Sequence, residues 1–220
     1  MRELVVICCT RGVKEETDLF RCLDRLGIEK PWFFENNREG LSTCYNRVLD
    51  ESAGRNAIAL FVHDDVLIED LFLHEKLDAG AGTFAIQGLA GASSFDLQPG
   101  FQQTVWTRAP REHLSGAVCH TVGPQIRMWA AYGPVPQSCV VLDGLFLAVD
   151  LTKIGNVRFD ERLLFNFYDL DFCLSAYEAS LSIGTVNVHA HHRSIGDFGS
   201  PAFFEAQEIF RNKWVSLKRQ

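Results

Sequence analysis

Residues 56–65 read NAIALFVHDD. The run Asn56–Val62 is apolar almost throughout and does not alternate with polar residues, which fits a strand buried on both faces, as in a parallel sheet covered by helices. It stops at His63-Asp64-Asp65. Leu4–Cys9 (LVVICC) has the same character. Between these runs, Lys14–Leu26 carries a helical pattern. Leu19, Cys22, Leu23 and Leu26 share one face, and Asp18, Arg21, Asp24 and Arg25 share the other. Pro31–Glu35 (PWFFE) reads as a short second strand, and Leu41–Ala53 as a second helix with the stripe Leu41, Cys44, Tyr45, Val48 and Leu49. The order up to Asp65 is therefore βαβαβ, and right-handed crossovers turn that order into a parallel sheet.

Beyond Asp65 the pattern predicts a short helix over Leu71–Leu77, strands over Thr83–Gly88 and Ser138–Val149 (SCVVLDGLFLAV), a helix over Tyr168–Leu181, a strand over Ile183–His189 and a last helix over Pro201–Lys213 with proline at its start. Residues 98–138 show no clear period and are rich in Gly and Pro. A long aperiodic stretch inside a compact domain is usually functional or mobile.

The chain has 220 residues, enough for one domain with a real core. Its 21 basic and 28 acidic side chains give a net charge of −7, which argues against nucleic-acid binding through phosphate neutralisation. The apolar start at Leu4–Cys9 is too short for an export signal, and no stretch reaches the ~20 apolar residues of a membrane-spanning helix. The seven cysteines are odd in number, include no CxxC pair and mostly lie in apolar runs. They read as reduced core residues, which points to the cytoplasm or another reducing compartment.

Ligands of open α/β sheets bind at the carboxyl ends of strands. Three polar clusters fall at such places: His63-Asp64-Asp65, Tyr168-Asp169-Leu170-Asp171, and His189–Ser194 (HAHHRS). Each has a bland reading, as a solvated turn, a charged helix start or unliganded histidines. Together, carboxylates and imidazole on one sheet edge suggest a divalent cation site, with oxygen ligands and one imidazole suiting Mn²⁺ or Mg²⁺.

The ordered set LVVICCTRG, FVHDDV, VLDGLFLAVD, FDERLLFNFYDLDFCLSAYEASLSIGTV and HHRSIG resembles the family-2-like, GT-A-fold nucleotide-sugar glycosyltransferases over nearly the whole chain. The resemblance implies an α/β fold with a Rossmann-like, mixed but mostly parallel sheet and helices on both faces. It implies one domain, 1–220, with a nucleotide-binding half at 1–97, an acceptor-side insert or lid at 98–138 and an acceptor/catalytic half at 139–220. It matches Asp65 to the last Asp of the family's DxD motif, a metal ligand, and Asp64 to a nucleotide or ribose contact. Asp169 matches the catalytic base, and His192 the strand-end metal ligand, with His191 as the alternative. Thr10, Arg11 and Glu35 fall where the nucleoside is held, and Asp143 and Gly144 where the donor sugar and acceptor pocket is lined. His63 and Tyr168 depart from the family's acidic residues, and the expectation is a metal site with one fewer negative charge.

The function so implied is metal-dependent, inverting transfer of a hexosyl or N-acetylhexosaminyl group from a nucleotide-diphosphate sugar (a UDP-sugar by family habit) with Mn²⁺ or Mg²⁺. The acceptor hydroxyl would belong to a glycan, a lipid-linked sugar or a protein. Two readings stand beside it: a nucleotidyltransferase, disfavoured by the glycine-poor CCTRGVKEE, and a non-catalytic sugar- or protein-binding module. In 98–138, Trp106, Trp129 and Tyr132 stand with Arg108, Arg111, His113 and Arg127; the aromatic faces read as sugar-stacking, with Trp129 and Tyr132 alternatively core or interface residues, and the arginines as contacts to an anionic acceptor or phosphate. Phe203, Phe204, Phe210 and Trp214 of the last helix read as packing on the sheet, with a homodimer contact as the alternative.

Overall fold

The computed structural model describes residues 1–95, 106–123, 126–194 and 199–217. In chain order the strands are β1 (Glu3–Cys9), β2 (Trp32–Phe34), β3 (Ala57–Val62), β4 (Val66–Ile68), β5 (Ile86–Gly88), β6 (Ala90–Ala92), β7 (Leu114–Gly123), β8 (Ile126–Gly133), β9 (Val141–Leu142), β10 (Phe146–Asp150), β11 (Ile183–Thr185) and β12 (Ala190–His192). The helices are α1 (Asp18–Leu23), α2 (Leu41–Glu51), α3 (Leu73–Gly80), α4 (Tyr168–Glu178) and α5 (Pro201–Leu217).

The architecture is mixed α/β. One sheet runs β11-β5-β10-β3-β1-β2. Its strands are parallel except β10, which lies antiparallel between β3 and β5. β3 and β10 are buried along their whole length, as their unbroken apolar sequences require of strands covered on both faces. The second sheet runs β4-β12-β7-β6-β9, with β8 paired to β7. The turn His63–Asp65 joins the two sheets, because it connects β3 in the first to β4 in the second.

Several elements differ from the sequence pattern. The expected helix over 14–26 breaks at Thr17, whose hydroxyl accepts from the Phe20 amide and caps α1, leaving single 3₁₀ turns on either side. The strand expected over 183–189 ends at Thr185, and the chain re-enters the second sheet at β12. Residues 98–105 and 124–125 lie outside the described residues, and the remainder of 98–138 is more regular than its sequence pattern. It forms two 3₁₀ turns and the antiparallel pair β7–β8, with β7 built into the second sheet between β12 and β6. Its period is blurred by a register shift at Gly116, where φ is +107° and a side chain would strike the Leu89 and Ala90 backbone.

α5 packs on α4 and the core. Phe203, Phe210 and Trp214 are buried, while Phe204 faces outward. Asp171 of α4 is fully buried and receives both the Trp214 indole N–H (2.8 Å) and the Lys213 ammonium (2.8 Å). Replacing Asp171 with Ala leaves the buried Trp214 indole N–H without its acceptor and takes a carboxylate from Lys213, which keeps Asp160 at 3.2 Å, so Asp171→Ala should destabilise the fold by about 2 kcal/mol in urea unfolding. A loss below ~0.5 kcal/mol, the size of an ordinary surface change, would mean that this anchor does not hold α5.

Candidate functional site

β1 and β3 end, and β10 begins, at one edge of the first sheet, since Phe146 pairs with Val62. The residues that follow or precede these strands converge there, as strand-end chemistry requires. The His63 amide donates to the Leu145 carbonyl (3.1 Å), which fixes the turn after β3 against the turn before β10. From the second sheet β12 delivers His192. The Arg193 amide donates to the Asp65 carbonyl (3.1 Å), and the Ser194 amide to Asp65 Oδ2 (3.2 Å).

The result is a compact cluster. One ring nitrogen of His63, one of His192 and a carboxylate oxygen of Asp65 lie within 4.8 Å of one another. His192 Nε2 sits 3.3 Å from Asp65 Oδ1 and 3.1 Å from the Ser194 hydroxyl. Burial works against ionisation of Asp65, yet the His192 hydrogen bond and the two imidazoles hold its carboxyl well below the usual range. Burial opposes the charged His192 ring too, but Asp65 outweighs it and the ring's pKa is raised. For His63 burial prevails, reinforced by His192, and its pKa is lowered.

Two cavities flank the cluster and share Phe165 and Asn166. The larger, about 880 Å³, is bordered by Thr10, Arg11, Asn37, Arg38, Asp64 and Asp65. The smaller, about 390 Å³, is lined by His63, His120, Asp143, Gly144, Asp169 and His192, with Trp106 and Tyr132 among its aromatic walls. A further cavity of about 590 Å³ lies at the opposite end of β1, around Leu4, Lys30 and His74, away from all of these.

α4 carries Asp169 into the smaller cavity. Phe167, immediately before α4, adopts a left-handed backbone (φ +64°), a strained state for a bulky residue that must be enforced by its surroundings. Phe167 stacks on Phe210 (5.4 Å) and packs against Phe203 (5.0 Å). The Asp169 carboxylate accepts from the Gly144 amide at 2.7 Å. Its pKa is pushed up to about 7, first by burial and then by the Asp143 charge. A side chain at position 144 would lie 2.6 Å from the Tyr168 hydroxyl and 2.7 Å from Asp169 Cβ, so only glycine permits this approach.

Of the residues singled out from sequence, Thr10, Arg11, Asp64 and Asp65 border the larger cavity, and Asp143, Gly144, Asp169 and His192 the smaller. His191 and Glu35 do not join them. His191, next along β12, projects to the other face and meets the Thr121 hydroxyl at 2.7 Å. Glu35 accepts from the Lys14 amide at 2.9 Å and lines neither cavity. Arg108, Arg111 and Arg127 also stay outside both, and Arg127 pairs with Glu69 at 2.9 Å. Trp129 is half exposed beside His189, whereas Trp106 is buried and donates its indole N–H to Asp143 at 3.2 Å. His120 was not anticipated. It is the register partner of His192, with ring centroids 5.7 Å apart. No sequence signal marked it, because the period of 98–138 is unreadable.

No family model matches the chain, and no curated protein matches it. Solved structures do. The crystal structure of A197 from STIV is similar with a TM-score of 0.50 and 10% identity, over 86% of this chain and 85% of that one. At that identity the likeness is one of fold. No described helix is long and apolar enough to cross a membrane.

The raised carboxyl of Asp169 makes a testable stability signature. The folded state holds this proton up to about pH 7, while an unfolded Asp with the ordinary value of 3.8 has released it. The native state therefore binds more protons between these values, and the Asp169 contribution to stability falls as pH rises from about 4 to about 7. Relative to Asp169→Asn, the wild type should lose stability across that window in urea unfolding and level off above it. A difference independent of pH would show that Asp169 ionises normally in the native state.

Proposed function

We propose that this protein is a metal-dependent, inverting glycosyltransferase that moves a sugar from a nucleotide-diphosphate sugar to an acceptor hydroxyl. The reading belongs with the family-2-like, GT-A-fold resemblance of the sequence. The observation that carries it is the placement of the Asp65–His192 pair between two unlike cavities, with a carboxyl of raised pKa in the smaller one.

The donor set fits a divalent cation. Asp65 supplies an anionic oxygen and His192 an imidazole, and both are already oriented by Ser194, which contacts one with its amide and the other with its hydroxyl. Asp65 and His192 would hold the ion, whose chemistry is to neutralise charge on the departing diphosphate. The larger cavity suits the nucleotide end of the donor. Arg11 and Arg38 border it and can pair with phosphate oxygens, and Thr10 and Asp64 offer polar contacts to nucleoside or ribose. A UDP-sugar with Mn²⁺ or Mg²⁺ is the donor and ion that the resemblance favours.

Asp143, Gly144 and Asp169 border the smaller cavity, where the transferred sugar and the acceptor would meet. Asp169 takes the acceptor's proton as its oxygen attacks the anomeric carbon. A base is most effective when its pKa lies near the working pH, and burial beside Asp143 brings Asp169 there. The Gly144 amide holds the carboxylate in place. The side chains lining the smaller cavity include no Lys or Arg among the described residues, which favours a neutral acceptor over the anionic one that the arginines of 98–138 had suggested.

Donor-sugar transfer or hydrolysis by the purified chain, with a divalent cation, tests the reading. Asp169→Asn should cut turnover by about 10²–10⁴-fold while donor affinity stays the same. The wild-type rate should rise with pH through about 7 as the Asp169 carboxyl loses its proton. Near-normal turnover by Asp169→Asn would remove the base assignment, and failure to bind any nucleotide sugar would remove the function.

A further inference from the structure

His63 stands where the resembled family has a carboxylate, and from sequence it reads as one negative charge fewer at the metal site. Its surroundings say more. The Tyr168 hydroxyl lies 2.8 Å from the Gly144 carbonyl and 2.9 Å from His63 Nε2. A carbonyl oxygen can only accept, and a phenol has one proton. The Tyr168 proton therefore goes to Gly144, and the phenol oxygen must accept Nε2–H from His63. A neutral imidazole that carries its proton on Nε2 has its lone pair on Nδ1. The ring cannot readily turn away from this arrangement. Its backbone amide is bonded to Leu145, and Phe165 stacks on it at 5.8 Å and 25°. The same ring belongs to the cluster whose ligand atoms lie within 4.8 Å, and with Nε2 committed to Tyr168 the remaining donor is Nδ1.

We propose that His63 is a third ligand of the cation site, that Tyr168 is the positioning residue that fixes its ligating tautomer, and that the site takes a borderline ion such as Co²⁺ or Zn²⁺ in preference to Mg²⁺. The proposal rests on the reading that Asp65 and His192 hold a cation. Two imidazoles and one carboxylate suit first-row transition ions, whereas Mg²⁺ favours oxygen ligands in a strict octahedron. The substitution of His for a carboxylate thus exchanges one kind of ligand for another, and Tyr168, itself a departure from the acidic partner of Asp169, supplies the hydrogen bond that a ligating histidine needs on its second nitrogen. The two departures are coupled.

The test is calorimetric titration of the full chain with Co²⁺ and with Mg²⁺, alongside the visible spectrum of the Co²⁺ form and circular dichroism as a check of folding. Wild type should bind Co²⁺ at least about tenfold tighter than Mg²⁺. Tyr168→Phe should remain folded and lose Co²⁺ affinity by about 10–100-fold, the usual effect of removing a ligand's outer hydrogen-bond partner. His63→Asp should move the preference toward Mg²⁺, and His63→Ala should alter the Co²⁺ spectrum. Equal affinities for Co²⁺ and Mg²⁺ in wild type, or Co²⁺ binding indifferent to His63→Asp and Tyr168→Phe, would overturn the proposal. Co²⁺ bound through His63 in a protein that transfers no sugar would leave this proposal standing and remove the function above. Sugar transfer with Co²⁺ binding indifferent to His63 would do the reverse.

Discussion

The contact between Asp65 and the chain leaving β12 is the constraint on which the rest of the site depends. Asp65 ends the strand-to-strand turn that links the two sheets, and it accepts amides from Arg193 and Ser194, far along the chain. These bonds bring an imidazole and a carboxylate into register without help from a local motif. The His63 amide, bonded to the Leu145 carbonyl, holds the same turn against the turn before β10, so that three chain segments meet at one sheet edge.

The electrostatics divide the edge into two regions. On the side of Thr10 and Arg11 the cavity is the larger of the two and is bordered by two guanidiniums, Arg11 and Arg38. On the side of Asp169 it is smaller and walled by aromatic rings, and a buried carboxyl keeps its proton toward neutrality. The same low-dielectric surroundings act differently on neighbouring acids. Asp65 is held ionised by adjacent imidazoles, whereas Asp169 faces another carboxylate and only amide donors. Two acids with opposite tendencies, separated by a cluster of histidines, are what a site needs if one acid is to hold charge and the other to move a proton.

How much of this was legible in the sequence depended on the physics of each residue. The βαβαβ opening was readable because β1 and β3 are apolar on both faces, a pattern that allows few alternatives. The positions of Asp65, Asp169 and His192 were readable because they lie at or just past strand ends or open a helix. His191 and His192 were inseparable by sequence, since only the register of β12 with β7 determines which ring faces the cluster. Asp171 looked like a second site acid but is consumed by Trp214 and Lys213. Glu35 falls in the turn just after β2 and is taken up by a backbone amide. His63 and Tyr168 looked like losses because a pairwise hydrogen bond between residues so distant in sequence leaves no trace in spacing. His120 was hidden in a stretch where bulges and glycines erase the alternation.

The proposal that Asp65 and His192 hold one ion is tested most directly by anomalous scattering from crystals of the protein grown with Mn²⁺ and a nucleoside diphosphate. A single strong peak within about 2.3 Å of an Asp65 oxygen and a His192 ring nitrogen, with the diphosphate in the cavity bordered by Arg11 and Arg38, is the expected result. A peak bound elsewhere, or density for the diphosphate remote from Asp65, would contradict the shared cation site and the transfer chemistry built on it.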